Sequence, residues 1–473
     1  KLTTNYFYNF SMYVHGKKVF LDTENTITIY NKLANKFKDV SILESVIGGD
    51  NKGRYSIILF NILQNVEIFH NYVLINNQKK KIKSPDSFIK DIYKNLKIKT
   101  IYDQNIPLPI FIGNVSFDLC KFTLPKLSYK PDKNEIGIPL AHFVKPRNLI
   151  IIDNVLNETH LIEVSNIKKN PVKSLKKLEK ILKEPFSKNK KLNFSKPKKF
   201  KNHIKKEEFI KRVKEIKRDI KVGEIFQAVL SQRFSNDYLI DPFNFYRALR
   251  SINPSPYLVF LNLKNYQIIC SSPETMIKVK NKEITLRPIA GTRRRGKNEI
   301  EDNNLKNELL KDKKELAEHL MLVDLGRNDV GQISKNNTVK VTEQNIIEYY
   351  SHVMHIVSNV TGELKNNLTP IDVLFAGLPA GTVSGAPKIR ALEILEKHED
   401  INREFYSGSV FYLDANGDMD SCINLRTAMI KNKKIYAQSG AGIVFDSIPE
   451  NEHIECINKA SALFEAYNLA HNI

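Results

Sequence analysis

The chain contains 473 residues, 42% of them hydrophobic, and carries a formal net charge of +21. This length and composition predict a globular protein with a large buried core and roughly two to three domains. The excess charge comes from scattered lysines, without the arginine and aromatic stripes or the motifs of nucleic-acid-binding proteins, so that class is the disfavoured alternative. A positive surface still favours encounter with small anionic substrates.

The four cysteines, Cys120, Cys270, Cys422 and Cys456, are far apart and form no CxxC pair. This spacing argues against the common zinc and redox motifs. No apolar run reaches the roughly 18 residues of a membrane helix, and the first residues lack the pattern of a signal peptide. We therefore expect a cytoplasmic protein with reduced thiols and no membrane association.

Residues 1–165 contain short β-like runs broken by Asn, Gly, Pro and Lys clusters, which predicts a sheet-rich N-terminal domain. Tyr55–Phe60 and Leu149–Asp153 are examples of these runs. Lysine dominates residues 166–202, which predicts an exposed helix and a linker. A polybasic contact with an acidic partner is the alternative interpretation of that segment. Residues 203–473 are expected to form a separate domain, and most of the recognisable motifs lie in it.

The predicted elements that follow residue 203 alternate between helices and strands. Asp241-Pro242 has the pattern of an N-cap followed by proline in the first helical turn. The predicted helices are residues 207–222 and a helix that begins near Asp241, and the predicted strands are residues 225–234, 257–263, 266–270 and 276–279.

Two predicted helices each carry two glutamates three residues apart, Glu315 with Glu318 and Glu452 with Glu455. Like charges at this spacing destabilise a helix by roughly 0.2 to 0.5 kcal/mol per pair. A repeated cost of this kind favours a bound cation, and solvated helix faces are the alternative. The apolar stripes predicted to be buried on these two helices are Leu309, Leu316, Leu320 and Val323 on the first, and Ile454, Ile457, Phe464 and Tyr467 on the last.

Two glycine-rich segments have different interpretations. Residues 379–388 end in Ala-Pro-Lys, which does not fit the spacing of a Walker phosphate loop, so a nucleotide site is not expected there. Residues 438–443 contain small residues that let backbone N–H groups approach an anion closely. A plain tight turn is the alternative for the second segment.

Eleven ordered strings are spread over most of residues 207–470: IFQAVLSQRF, INPSPYLVFL, SSPE, LRPIAGTRRRG, ELAEHLMLVDLGRND, YSHVMHIVSNV, PAGTVSGAPKIRALEIL, YSGSVFY, INLRTAMI, QSGAGIV and ENEHIECINKA. They resemble those of the chorismate-utilising enzymes, and within them the anthranilate synthase component I family. The N-terminal part matches loosely, through SILES and GRYSII.

The resemblance implies a mixed α/β protein of the α+β kind, with an antiparallel β-sandwich core, flanking helices and an active-site cleft. It also implies an N-terminal regulatory domain, residues 1–165, and a chorismate-binding catalytic domain, residues 203–473. The interleaved strands and helices after residue 203 are compatible with this fold.

The resemblance assigns roles to individual residues. A magnesium ion is expected between Glu315, Glu318, Glu452 and Glu455, and oxygen-only ligands suit such a hard cation. The residues expected to bind substrate are Thr382, Tyr406, Arg426, Gly440, Ala441, Gly442 and Lys459. The residues expected at the reacting atoms are Glu274 as the general acid, His355 as the base of the second step, and Gln227. His319 and His352 are expected to be structural.

Two positions favour one reaction over the other reactions of the family. The water-adding members carry a lysine where this chain has Gln227, and an amide cannot deprotonate water, whereas ammonia is already nucleophilic. Aminodeoxychorismate synthases typically place a nucleophilic lysine where this chain has Ala290. Amination at C2 that yields anthranilate and pyruvate is therefore expected, with aminodeoxychorismate synthase component I as the alternative.

The resemblance also implies a partner and a regulator. No glutaminase cysteine is recognisable, so ammonia is expected from a separate glutamine amidotransferase subunit in a heterotetramer, or directly from solution. Leu43–Ser45 and Asn253–Tyr257 resemble the tryptophan feedback pocket of the family. The residues expected to bind tryptophan are Ser45, Asn253, Pro254, Ser255 and Tyr257.

Overall fold

The computed structural model describes residues 12–45, 53–95, 98–102, 104–124, 126–166, 168, 171–185, 196–350 and 353–473. Two antiparallel sheets and the helices around them make up these residues. No helix among them is long and apolar enough to cross a membrane.

The helices are α1 (Thr26–Ala34), α2 (Pro85–Lys94), α3 (Cys120–Thr123), α4 (Val172–Lys183), α5 (Lys206–Lys221), α6 (Pro242–Ile252), α7 (Glu299–Lys311), α8 (Lys313–Ile333), α9 (Pro370–Gly377), α10 (Lys388–His398) and α11 (Pro449–Ala470). The strands before residue 200 are β1 (Met12–Val19), β2 (Ser41–Glu44), β3 (Tyr55–Ile68), β4 (Tyr72–Ile75), β5 (Gln78–Lys81), β6 (Ile98–Thr100), β7 (Pro109–Val115), β8 (Ala141–Asp153) and β9 (Glu158–Ser165). The later strands are β10 (Lys201–Asn202), β11 (Gln227–Asp237), β12 (Tyr257–Leu263), β13 (Tyr266–Ser272), β14 (Lys278–Lys280), β15 (Glu283–Leu286), β16 (Ile289–Arg294), β17 (Lys340–Tyr349), β18 (Val353–Glu363), β19 (Gly385–Ala386), β20 (Ser409–Asp414), β21 (Met419–Ile423), β22 (Thr427–Lys431) and β23 (Lys434–Ile443).

The strands form two sheets that share their longest members. The first sheet has the order β6-β1-β9-β8-β3-β2-β12-β13-β22-β23-β11-β10. The second sheet has the order β5-β4-β3-β8-β7-β20-β21-β14-β15-β18, and β18 also pairs with β16 and β17. Apart from the parallel β1–β6 pair, the neighbours in these orders are antiparallel.

Strands β3 and β8 pass from one sheet into the other. The first half of β3 pairs with the second half of β8 in the first sheet, and their remaining halves pair in the second sheet. The register shifts between Ile62 and Gln64, and such bulges bend strands. This bend lets one continuous strand pair contribute to both layers of a sandwich.

Alternating side chains of the first sheet divide the core in two. Ile57 and Leu59 of β3 lie in the apolar cluster between the sheets, whereas Ile58 and Phe60 lie in the cluster between the first sheet and the helices α1, α4, α5, α6, α10 and α11. Because successive side chains point to opposite faces of a strand, a strand with both faces covered must be apolar throughout. Burial of each such side chain contributes about 1.5 to 3 kcal/mol. The predicted antiparallel sandwich with flanking helices is confirmed.

Several elements have the bounds that local sequence signals predicted, or bounds close to them. Strand β12 has the predicted bounds of residues 257–263, and α5 differs from its predicted bounds by one residue at each end. Helix α6 begins after Asp241, whose carboxylate accepts the N–H of Phe243 at 2.9 Å. The strand predicted at residues 276–279 is displaced, because β14 comprises Lys278–Lys280.

The single helix predicted around Glu315 and Glu318 is wrong. Asp312 ends α7 and caps α8, since its carboxylate accepts N–H groups from Lys314 and Glu315. The buried face of α8 runs through His319, Leu322 and Gly326 rather than through the predicted stripe. Val323 lies at the edge of this face and is buried, whereas Leu320 is 52% exposed. Ile454 on α11 is also 50% exposed rather than buried, whereas Tyr467 is buried as predicted.

The two predicted domains share both sheets. Strand β2 pairs with β12, and β7 pairs with β20, so residues from each part of the chain complete the sheets of the other. The boundaries at residues 165 and 203 remain a prediction, and they coincide with the end of β9 and the start of the segment before α5. A contact between the N-terminal strands and the later ones is therefore built into the fold.

Candidate active site

Glu274 is a buried carboxyl in the loop after β13. Thr382 Oγ1 donates a hydrogen bond of 2.9 Å to Glu274 Oε1. The backbone of Glu274 is also held, because its N–H donates to Ser272 Oγ at 3.2 Å and its carbonyl accepts the N–H of Ile423 at 3.1 Å. Burial raises the pKa of Glu274 to about 7, against the opposing effects of Thr382 and the Lys459 charge. A carboxyl of this kind is partly protonated at neutral pH and can act as an acid.

The turn that carries Thr382 is fixed by a buried arginine. Arg403 donates to the carbonyls of Val383 at 2.8 Å and Val229 at 2.6 Å, and its Nε donates to Glu399 Oε2 at 2.7 Å. The arginine thereby joins the turn to β11. Arg403 was not among the predicted site residues, because local sequence pattern does not distinguish a buried paired arginine from an exposed one.

His355 on β18 is held as a neutral base. Its Nδ1 lies 3.0 Å from the carbonyl oxygen of Gly291. A carbonyl can only accept, so Nδ1 carries the proton and Nε2 keeps the lone pair. Burial lowers the pKa of His355, and the Arg426 charge adds to this effect. The Tyr350 ring packs edge-on at 5.4 Å between centroids.

The carbonyl that orients His355 belongs to a bulge in β16. The register with β18 shifts between Ala290 and Thr292, and Gly291 between them has a φ of +65°. This conformation strains residues with a side chain. A Cβ at Gly291 would also lie 3.3 Å from Glu315 Oε2, so the bulge lies beside one of the predicted metal ligands. Ala290 is half-buried at this position and offers no reactive group.

Gln227 begins β11 and faces α8. Its Nε2 donates to Glu318 Oε1 at 3.3 Å. A Cβ at Gly442 would lie 2.8 Å from this nitrogen. The glycine therefore provides the space that the amide occupies. The structure thus brings Gln227, Gly442 and Glu318 together.

The glycine-rich segment with Gly440, Ala441 and Gly442 is part of β23. It pairs with β11 through Ser231↔Gly440 and Val229↔Gly442, so the tight-turn alternative is wrong. Pairing of β23 with β22 stops at Ala437. Within the described residues, no strand pairs with that edge of the glycine segment. Its outward N–H groups are therefore oriented like those of an edge strand and can bind an anion.

Tyr406 lies near this open edge, and Arg426 lies near His355. The hydroxyl of buried Tyr406 would be 3.2 Å from a Cβ at Gly440, and burial raises the pKa of Tyr406. Arg426 precedes β22 with a φ of 46°, and its Nη1 donates to Asn253 Oδ1 at 3.1 Å. Burial lowers the pKa of Arg426, a sign of limited hydration that strengthens pairing with a carboxylate.

The two glutamate pairs are under the influence of the same two lysines. Burial raises the pKa of Glu318, with the charge of Glu315 adding to it, and burial likewise raises the pKa of Glu452, with Glu455 adding to it. The charges of Lys314 and Lys459 oppose both shifts. Helices α8 and α11 therefore present their carboxylates toward one region.

The glutamates do not form a finished metal site in this structure. Among the described residues, no group of three or more His, Cys, Asp or Glu side chains is gathered closely enough to hold a metal. Lys459 Nζ is paired with Glu455 Oε1 at 2.6 Å, and Arg293 Nη1 lies 3.6 Å from Glu315 Oε1. The all-carboxylate donor set nevertheless fits Mg²⁺, which binds through one or two carboxylates and retains several waters. The residues present therefore fit the ion by their chemistry.

The residues predicted to bind tryptophan come together where β2 meets β12. Glu44 pairs with Leu258 in the ladder, which places Ser45 beside Tyr257. The Glu44 carboxylate accepts hydrogen bonds of 2.6 Å from Tyr246 and from Arg250, both on α6. Ser45 Oγ is buried and, within the described residues, has no hydrogen-bond partner.

This region also contacts the loop of the candidate acid. The Tyr257 hydroxyl lies 2.7 Å from Thr275 Oγ1, next to Glu274, and donates to Asp420 at 2.9 Å. Asn253 is the C-cap of α6 and accepts a hydrogen bond from Arg426. Ser255 Oγ is 3.0 Å from Ser271 Oγ. The predicted regulatory and substrate-binding residues are therefore in direct contact.

The remaining predicted residues are Lys459, His319 and His352. Lys459 lies close enough to Glu274 to lower its pKa, which joins α11 to the candidate acid. His319 is buried with Nε2 at 2.7 Å from Ser358 Oγ, which agrees with the expected structural role, and His352 lies outside the described residues. One further contact had no signal in the sequence: Lys388 pairs with both carboxylate oxygens of Asp329 at 2.7 Å and joins α10 to α8.

The fold and the buried carboxyl, histidine and arginine gathered here are typical of an enzyme that acts on a small anionic substrate. A family model described as chorismate binding enzyme matches residues 57–465, and the chain belongs to this family. The predicted family resemblance is confirmed.

Curated and solved relatives extend this result. Anthranilate synthase component 1 of Acetivibrio thermocellus is 41% identical over 96% of this chain and 95% of that protein. The crystal structure of anthranilate synthase component I from Streptococcus pneumoniae is 38% identical, covers 89% of this chain and 94% of that one, and has a TM-score of 0.78. The menaquinone-specific isochorismate synthase of Escherichia coli is 16% identical with a TM-score of 0.73, which shows a shared fold alone.

Proposed function

We propose that this chain is the synthase component that converts chorismate and ammonia into anthranilate and pyruvate, the first step of tryptophan biosynthesis. The observation that carries the proposal is the neutral Gln227 amide beside Glu318, at 3.3 Å, in a site that also holds the buried acid Glu274. An amide does not generate hydroxide from water, so ammonia is the nucleophile that this site can use. Similarity to anthranilate synthases along nearly the whole chain supports the same reaction over that of aminodeoxychorismate synthase.

Substrate binding depends on donors that surround one region. We assign carboxylate binding to Arg426, Tyr406, Lys459 and the backbone N–H groups of the Gly440–Gly442 edge. Arg426 suits a carboxylate because its guanidinium presents parallel donors. Thr382 has a second role, because its hydroxyl is bonded to Glu274 and can also orient the substrate beside that acid.

The first step is substitution with an allylic shift. Glu274 donates its proton to the C4 hydroxyl, which leaves as water, while the ammonia lone pair forms the new bond at C2. Loss of a proton from the added nitrogen leaves a neutral amine. A carboxyl with a pKa of about 7 is suited to this donation at neutral pH.

The second step produces the aromatic ring. Nε2 of His355 removes the proton at C2, and the C3–O bond to the side chain breaks. The released enolpyruvyl group takes up a proton and becomes pyruvate. The ring acquires three conjugated double bonds, and this aromaticity drives the elimination.

We further propose that Glu315, Glu318, Glu452 and Glu455 hold one Mg²⁺, directly or through water. When bound, the ion supplies positive charge that anchors the ring carboxylate. Without it, four carboxylates would repel an anionic substrate. Lys314 and Lys459 offset part of this repulsion, as their effects on Glu318 and Glu452 indicate.

The remaining proposals concern supply, control and compartment. We propose a glutamine amidotransferase subunit as the ammonia source, in a heterotetramer, and tryptophan as an inhibitor that binds at Ser45, Asn253, Pro254, Ser255 and Tyr257. The cysteines that the structure describes are free and buried, which supports a reducing compartment such as the cytoplasm.

Product identification tests the function. The purified chain is incubated with chorismate, Mg²⁺ and either ammonium or glutamine, and anthranilate is detected by its fluorescence. We expect anthranilate and equimolar pyruvate with ammonium, and little product with glutamine until the amidotransferase is added. Accumulation of a product that is aminated at C4 and retains its enolpyruvyl group would instead identify an aminodeoxychorismate synthase, because the intermediate proposed here carries its amine at C2. A Glu274→Gln preparation controls for contaminating activity.

A further inference from the structure

We infer that Asn253 is a positioning residue that sets the guanidinium of Arg426 for the substrate carboxylate. Within the described residues, Asn253 Oδ1 is the only hydrogen-bond acceptor of that guanidinium, at 3.1 Å from Nη1. This role differs from contact with tryptophan, because it operates when no inhibitor is present. The inference rests on the proposed function, since it assigns Asn253 to the same substrate site.

The orientation of the Asn253 amide follows from its neighbours. Arginine can only donate, so the amide oxygen must face Arg426. The Nδ2 group then donates to Ser271 Oγ at 2.8 Å, and Ser271 Oγ itself donates to the carbonyl of Asn253. Ser271 also donates its backbone N–H to the carbonyl of Arg426 at 3.2 Å. One serine therefore fixes both the amide and the backbone of the arginine.

The backbone of Arg426 makes an external restraint necessary. Its φ of 46° lies in the left-handed region, which non-glycine residues adopt only when the surroundings impose it. A long side chain on such a backbone has many rotamers, and a hydrogen-bond acceptor at one nitrogen of the guanidinium favours one of these rotamers. The Asn253 bond uses Nη1 and leaves the other donors of the guanidinium to face a ligand.

A neutral acceptor is the appropriate partner for this purpose. An amide oxygen orients the guanidinium without cancelling its charge, whereas a carboxylate at the same position would form an ion pair and compete with the substrate carboxylate. Asparagine and aspartate have nearly the same shape. Their comparison therefore separates charge from packing.

The test compares Asn253→Ala and Asn253→Asp with the wild type in tryptophan-free assays with ammonium as the nitrogen donor. We expect KM for chorismate to rise about 10-fold or more in Asn253→Ala, because hydrogen bonds to charged groups contribute about 1.5 to 3 kcal/mol. We expect a larger rise in Asn253→Asp, with kcat within about threefold of wild type. In an Arg426→Lys background, Asn253→Ala should add little further loss, as expected for residues that act through one contact.

Asn262→Ala is the matched control. The Asn262 amide on β12 donates to the carbonyl of Lys38 at 2.8 Å and does not contact Arg426, so KM should stay at the wild-type value. Unchanged KM in both Asn253 variants, with wild-type anthranilate production, would overturn the inference. If Asn253→Ala does not fold, the isosteric Asn253→Asp decides alone, because a packing role predicts wild-type KM for it. Absence of anthranilate from the wild type would refute the proposed function instead.

Discussion

Thr382 Oγ1 and Glu274 Oε1 lie 2.9 Å apart, and the hydroxyl donates to the carboxylate. This hydrogen bond favours the ionised form of Glu274, while burial favours the protonated form more strongly, so the pKa of the carboxyl is about 7. The acid is therefore neither locked in its protonated state nor fully ionised at the pH of the cell. Arg403 holds the turn that carries Thr382 and so contributes indirectly to this balance.

The pH dependence of turnover should reflect Glu274 and His355. Donation by Glu274 requires its protonated form, so kcat/KM should fall as pH rises above about 7. Proton removal by His355 requires the neutral ring. The pKa of His355 is lowered from the ordinary histidine value of 6.5, so the acidic limb of the profile should lie below pH 6.5. Initial rates of anthranilate formation between pH 5 and pH 9, measured at a constant concentration of free ammonia, show both limbs. A rate that keeps rising above pH 8 under this condition would contradict the role of Glu274.

Glu274→Gln should lose turnover and gain stability at alkaline pH. The folded pKa of about 7 exceeds the ordinary value of 4.5, so the stability contributed by the protonated carboxyl is complete below pH 4.5 and is lost as pH rises through 7. Glutamine is neutral at every pH and avoids this loss, which is on the order of 3 kcal/mol above pH 7. Urea unfolding of the wild type and of Glu274→Gln at pH 5 and pH 8 should show this difference in stability at pH 8. If the two proteins are equally stable at both pH values, Glu274 is not buried as described.

Thr382→Val should move the alkaline limb to higher pH. Valine keeps the shape of threonine but cannot donate, so the ionised form of Glu274 loses support and its pKa rises. Activity above pH 7 should therefore persist further than in the wild type, with a higher KM because the proposed substrate contact is lost. Thr369→Val is a control at a distance from the acid, since Thr369 Oγ1 bonds Asp372 at the start of α9. A limb that moves to lower pH would contradict this assignment.

The sandwich and most candidate residues were predicted from the family resemblance, whereas local signals predicted single element boundaries. Asp241 shows its role locally, because an N-cap and the following proline act within one helical turn. The passage of β3 and β8 through both sheets depends on pairing between distant residues, such as Leu59 with Leu149, which are ninety positions apart. Periodicity contains no such information. Leu320 was misplaced because the buried face of α8 includes His319 and Gly326, a polar residue and a glycine that an apolar stripe does not reveal. Arg403 was missed because its burial depends on partners in distant segments.

Glu455→Ala and Glu318→Ala should abolish Mg²⁺-dependent turnover without unfolding the protein. Glu455 is about half exposed, so its loss leaves the core intact. Chelation of the wild type should have the same effect, and added Mg²⁺ should restore the wild type alone. Mg²⁺ titration of activity and thermal unfolding, with Glu465→Ala on the same helix as the control, distinguish a ligand from a structural residue. Full activity of the wild type after exhaustive chelation would exclude the proposed ion.

Arg403→Met should destabilise the fold more than it alters the chemistry at Glu274. The arginine is 1% exposed and bonds Glu399 through two nitrogens, so its removal leaves a largely buried carboxylate without its main partner. Breaking a buried pair in this way costs about 3 to 5 kcal/mol. Replacement of both partners, Arg403→Met with Glu399→Leu, removes the unpaired charge and should recover part of that loss. Urea unfolding measures both variants, and the alkaline limb of the pH profile shows whether the turn with Thr382 has kept its contact with Glu274. If the single variant is as stable as the wild type, the ion pair with Glu399 does not stabilise this part of the fold.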